Sequence, residues 1–294
     1  MPAFRHAARR TAAVVNAVLR PAGVRLVREA GRLDPATSAM ESPELRRRLA
    51  DGLGATARLH LSALGLARWT AAEANGHAAA ALDLYAGRPF GDNEGGGGFH
   101  NAFWLVVLAR ALRPLLVVES GVWQGHTTWL LAEACPGARV VGFDLDLGRL
   151  DPAARGHPRV EFVESDWAAH DFGAVDAGRS LAVFDCHVSH ARRIAEASAR
   201  GFRHLALDDD APLERLYAYG HPPVPTARML ADGDTPAHVA WRWRGRRVEA
   251  AVDPAEAARA QALVRHHAPF PDVGGPTRYG GFSDLGYVAV GPRP

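Results

Sequence analysis

The sequence predicts an α/β fold, a mostly parallel sheet with helices on both faces, preceded by an N-terminal helical extension. Three observations carry that prediction. Short, nearly continuous apolar runs alternate with helix-period segments from residue 115 onward, the pattern of strands buried on both faces. The first run, LLVVE, ends in the acid Glu119 and turns through Gly121 and Gly125 into a helical pattern. The second delivers Asp144, which lies 23 residues after Gly121, the spacing at which an acid meets the ribose of a nucleotide cofactor.

The elements follow from local chemistry. Apolar positions at three- and four-residue spacing predict helices over residues 45–66 and 67–85, and FHNAFWLVVLARAL a further helix over 99–112 that Pro114 stops. Consecutive glycines, Gly95 to Gly98, form a joint between the two, which divides the chain into an extension over 1–98 and an α/β domain over 99–294. Strands are expected over 115–119, 139–144, 160–164, 181–185 and 204–207, with helices over 127–134 and 189–200. Two runs flanking Gly245 read as a β-hairpin, Asp253-Pro254 as a helix start, and 285–291 as a last strand.

Composition narrows the class of protein. With 294 residues, 48% hydrophobic and 22% charged, the chain can bury a substantial core. The formal net charge of +2 gives no general affinity for polyanions, and WRWRGRR (241–247) is the one basic-aromatic stretch, so nucleic acid is not expected as a partner. That hairpin is read either as a surface feature or as a place where an anionic or sugar substrate stacks. The basic residues are all Arg, which points to a high-GC bacterial coding sequence. Two cysteines fit a reducing cytoplasm, and no apolar run is long enough to span a membrane. The first twenty residues read as an amphipathic helix packed on the protein, with peripheral membrane contact or a targeting role as alternatives. A homo-oligomer is left open.

The turn itself selects among cofactors. Trp123 stands where a dinucleotide fingerprint has its second glycine, and an acid at Glu119 sits poorly beside a pyrophosphate. S-adenosylmethionine carries an ammonium, a sulfonium and one carboxylate, so an acid at the strand end and free amides at the helix start suit it better. Here the chain resembles the class I S-adenosylmethionine-dependent methyltransferases, over roughly residues 99–212. The resemblance implies a Rossmann-like, mostly parallel seven-stranded sheet. It also implies that Glu119, Gly121, Gly125 and Thr127 frame the methionyl part, that Asp144 holds the ribose, and that Asp166 and Trp167 sit at the adenine. For Trp167 a place in the core is the equal alternative.

A second constellation stands at the ends of the fourth and fifth strands. FDCHVSH supplies Asp185, His187 and His190, and LDDDAP supplies Asp208, Asp209 and Asp210. Carboxylates gathered at neighbouring strand ends repel unless a cation sits among them, and an all-oxygen set suits Mg²⁺. The arrangement resembles metal-dependent O-methyltransferases and the cephalosporin-hydroxylase-like branch, which implies Asp185, Asp208 and Asp209 as metal ligands, with Asp210 as a register alternative. His187 or His190 is then the base for an acceptor hydroxyl of a small molecule or sugar. A hydroxylase-like enzyme and a non-catalytic binding protein on the same scaffold are the rival readings.

Overall fold

The computed structural model describes residues 42–90, 93, 95–277 and 284–291. The expectations for the N-terminal stretch, up to residue 41, lie outside the described residues. The chain begins with helices α1 (Pro43–Ala63), α2 (Ala71–Gly87) and α3 (Phe99–Leu112). Ser42 caps α1, and Thr70 with Glu73 forms a reciprocal capping box on α2. α3 is buried from Phe99 through Ala109, on every side, because it lies between the sheet and the first two helices. Leu53 and Leu61 of α1 and Leu82 of α2 share one continuous core with α3 and with sheet residues Val117, Val140 and Leu181.

Strands β1 (Leu116–Ser120), β2 (Arg139–Asp144), β3 (Val160–Glu164), β4 (Ser180–Phe184) and β5 (His204–Leu207) pair in parallel. Helix α4 (His126–Ala134) follows β1, the short α5 (Pro152–Arg155) precedes β3, and α6 (His190–Ala199) links β4 to β5. After α7 (Ala227–Asp232), strands β6 (His238–Trp243) and β7 (Arg246–Ala251) form a separate two-stranded sheet whose turn puts Arg244 and Gly245 at φ 47° and 80°. Two left-handed residues in a row are what a tight hairpin demands. Helix α8 (Pro254–Leu263) starts at the expected Asp253-Pro254 and runs straight into β8 (Val264–Pro269), and β9 (Gly286–Val290) closes the chain.

The main sheet has seven strands in the order β3-β2-β1-β4-β5-β9-β8, with β9 antiparallel to both of its neighbours. The five parallel strands lie within one residue of their expected bounds. β8 was not expected: VRHHAP is polar and no turn residue separates it from α8. At the sheet edge a strand has one partner and needs no continuous apolar run, so the apolar signal is missing. The order reverses between β1 and β4, which opens a crevice at their carboxyl ends.

Candidate active site

A cavity of about 440 Å³ fills that crevice. Its walls are the ends of β1 (Ser120, Gly121), β2 (Asp144, Leu145), β3 (Ser165, Asp166) and β4 (Asp185 to Val188), closed by Trp123, Gly95 and Gly96. The glycine joint of the sequence thus becomes a wall of the site. The turn after β1 is fixed by sterics. Gly121 has φ 97°, and a Cβ there would lie 2.2 Å from the Asp185 carbonyl oxygen. Gly125 has φ 85°, and its Cβ would lie 2.5 Å from that of Ala154. Both conformations belong to glycine, and both glycines let backbones or helices approach.

Asp144 spans the turn. Its Oδ2 accepts from the amides of Val122 at 2.9 Å and Trp123 at 3.0 Å, and its Oδ1 from Asp146 at 3.2 Å. Trp123 itself holds φ 53°, a glycine-like backbone that nevertheless carries an indole, with the Arg149 guanidinium 4.5 Å from its ring. Asp166 faces Arg193, whose two terminal nitrogens reach its two oxygens at 3.0 and 3.2 Å. Burial works against Asp166, but that fork and the Ala168 amide hold its carboxyl below the usual range. Arg193 also reaches the Cys186 sulfur at 3.2 Å and Glu196 at 2.7 Å.

Of the cofactor contacts read from the sequence, Gly121, Asp144 and Asp166 line the cavity. Glu119 lies behind it, 2% exposed, taking a hydrogen bond from the hydroxyl of Thr128 rather than Thr127. Burial pushes the Glu119 carboxyl up to about 8, with Asp144 and Asp208 adding to the effect against the Thr128 bond. Gly125 is buried against Leu150 and Ala154, and Thr127 is not on the cavity wall. Trp167 is fully buried, its ring 4.9 Å from that of Phe184 and 5.8 Å from that of Phe202. It belongs to the core, because the 3-10 turn capped by Asp166 points it inward.

The second constellation divides. Asp185 and His187 face the cavity. Asp208 accepts from Asn101 Nδ2 at 2.8 Å, and Asp209 Oδ2 meets His187 Nδ1 at 3.3 Å. The Asp209 carboxylate raises the His187 imidazole above its usual range, although partial burial opposes it. Burial first, and then Asp208, Asp209 and Glu119, raise the Asp185 carboxyl well above the carboxylate range. His190 is turned away: it is 1% exposed and its Nδ1 accepts from the Ala227 amide at 3.0 Å, a structural bond that replaces a role as base. Asp210 is also withdrawn, held at 2.6 Å by both His267 Nε2 and the Arg228 amide.

The three carboxylates expected as metal ligands each have protein neighbours. Among the described residues no three His, Cys, Asp or Glu side chains are arranged to hold a metal ion. Asp208 accepts from Asn101 and Asp209 contacts His187, while both lie near enough to Asp185 to raise its carboxyl. Arg193, which grips Asp166, and Asn101, which donates to Asp208, were not among the site residues read from the sequence. Both carried a signal: Arg193 falls on the buried stripe of α6 with His190, Ile194 and Ala197, and Asn101 is polar within an otherwise apolar helix.

Sheet order, the reversed last strand and a glycine turn bound to an acid on β2 define the Rossmann-like class I methyltransferase fold. No family model matches the sequence. A stretch of 91 residues, 29% of the chain, is 38% identical to trans-aconitate 2-methyltransferase from Paracidovorax citrulli (strain AAC00-1), and it spans only 35% of that relative's length. Among solved structures, cofactor-bound Rv0187 from MTB is 18% identical with a TM-score of 0.41, over 74% of this chain and 91% of that one. The O-methyltransferase TomG from Streptomyces achromogenes, in complex with SAM, is 15% identical with a TM-score of 0.38, over 65% and 78% of the two chains.

Proposed function

We propose that the chain is an S-adenosylmethionine-dependent methyltransferase acting on a hydroxyl of a small molecule or sugar. The observation that carries this reading is Asp144, which lines the cavity at the end of β2 while two turn amides hold its Oδ2. The donor set suits the cofactor. Asp144, Asp166 and Asp185 line a site of about 440 Å³, an acid-rich wall for a cationic ligand with vicinal hydroxyls. Trp123 lines the cavity at the turn position where a dinucleotide's pyrophosphate needs the bare backbone of glycine.

Bound S-adenosylmethionine supplies an electrophilic methyl group on sulfur. The chain's part is to aim the acceptor oxygen and take its proton. His187 is placed for that: Asp209 holds Nδ1, which leaves Nε2 free to accept the hydroxyl proton at the cavity mouth. A polycarboxylate acceptor fits poorly, because Asp144 and Asp209 would repel it. Calorimetric titration with S-adenosylmethionine, S-adenosylhomocysteine and NAD tests the cofactor. Heat with NAD and none with the two adenosyl ligands would refute the reading. Transfer of a labelled methyl group to a panel of sugars and phenols tests the acceptor class.

A further inference from the structure

A second cavity, about 500 Å³, opens at the opposite end of the sheet, below the amino end of β1. It lies where α3 and α4 end, and its walls include Arg110, Arg113, Arg179, His77, Glu133 and Cys135. We propose that this cavity is a binding site for a small phosphate-bearing ligand, separate from the methyl-transfer site.

The charge balance is the first argument. None of the three guanidinium groups has an ion pair or side-chain hydrogen bond among the described residues. Glu133, the acid of the cavity wall, is already held by His157 Nε2 at 2.9 Å and Arg159 at 2.6 Å. The two helix C-termini offset only about half a charge each, and Glu73 faces Arg113, so a net positive charge remains around an open groove. Basic residues at a helix end are ordinary; three of them around one cavity exceed what the two dipoles require.

The second argument is an unanswered donor. The Nε–H of Arg110 is buried and has no hydrogen-bond partner among the described residues, and a buried N–H left unpaired is destabilising. The third is backbone. Arg113 ends α3 at φ 47°, the left-handed position that glycine normally fills, so the chain accepts strain to present an arginine there. Burial and then Arg110 press the His77 imidazole below its usual range, which places these groups in one electrostatic field. The thiol is not the purpose of the cavity, since burial pushes Cys135 up to about 11 and leaves it protonated. The chain's own first 41 residues are an unsuitable occupant, with seven Arg against three acids. Planar guanidinium forks match phosphate oxygens, and Ala109 and Ala134 add apolar lining beside them.

The test is calorimetry on the full chain with inorganic phosphate and pyrophosphate as probes. Binding is expected in the native protein, weakened about tenfold by Arg110→Met and by the exposed Arg179→Ala, and retained in Arg110→Lys at reduced strength. Saturating S-adenosylhomocysteine leaves it unchanged. No phosphate binding, equal binding in all variants, displacement by S-adenosylhomocysteine, or equally strong binding of acetate would each overturn the proposal. Because Arg179 is solvent-exposed, its variant stays informative even if Arg110→Met fails to fold.

Discussion

His187 and Asp209 stand on the ends of adjacent parallel strands, both in left-handed backbone, at φ 54° and 56°, and their side chains meet at 3.3 Å. Non-glycine residues in that region cost of order 1 kcal/mol each, and two of them in contact at a cavity mouth mark a place where side-chain position outweighs backbone comfort. The contact engages Nδ1 of the imidazole and leaves Nε2 as the nitrogen for the proposed proton transfer.

That contact predicts a pH profile. A base must be neutral, so methyl transfer should rise with pH through the His187 pKa, which Asp209 raises above the ordinary 6.5. In Asp209→Asn the imidazolium loses its partner and its pKa falls, so the acidic limb of kcat/KM should move to lower pH while the maximal rate drops. The pH dependence of both enzymes decides it. An unmoved limb would remove His187 from the reaction.

Glu119 predicts a difference in stability. Its folded pKa is about 8 against an ordinary 4.5, so between those values the folded protein keeps a proton that the unfolded chain has released. Stability therefore falls as pH rises through that window, by at most about 1.4 kcal/mol per pH unit. Glu119→Gln keeps an acceptor for Thr128 and cannot ionise. The melting temperature of the variant minus that of the native protein should grow steadily from about pH 5 to about pH 8. The buried histidines His60, His100 and His126, each lowered to about 4 by burial, act in the opposite direction but are common to both proteins. A flat difference would show that Glu119 is ionised in the fold.

Asp144 predicts a joint loss of affinity and stability. Asp144→Ala removes the acceptor for the Val122 and Trp123 amides, and should cost about 2 kcal/mol of unfolding free energy. S-adenosylhomocysteine affinity should fall about tenfold or more, and Asp144→Asn should lie between. Denaturant melts and titration measure the two effects. Lost stability with unchanged affinity would make Asp144 a turn clamp only.

How legible the site was in the sequence depended on the kind of signal. Apolar runs between glycines located β1 to β5, because strands buried on both faces need continuous apolar residues whatever their neighbours are. The acid at Asp144 was legible because spacing along the chain fixes it at the end of β2. What spacing does not encode is the direction of a side chain within a loop. His190 and Trp167 lie within a few residues of the cavity, yet one caps onto Ala227 and the other fills a core of phenylalanines. Asp208, Asp209 and Asp210 are consecutive, and their carboxylates go to Asn101, His187 and His267 respectively. A run of like residues reads as one cluster, whereas the turn at Asp209 fans them apart.

A proton or a cation can each answer the acids around Asp185. Burial and the charges of Asp208 and Asp209 raise its carboxyl well above the ordinary range, so the charged form is disfavoured there. Asparagine has the same shape as that acid and cannot ligate Mg²⁺ as a carboxylate does. Asp185→Asn should therefore keep kcat and KM within about threefold of the native enzyme, and EDTA should leave turnover unchanged in both. A metal site predicts the reverse: turnover lost to EDTA, restored by Mg²⁺, and abolished by Asp185→Asn. The two outcomes differ by orders of magnitude in rate, so one assay with and without chelator separates a shared proton from a shared cation.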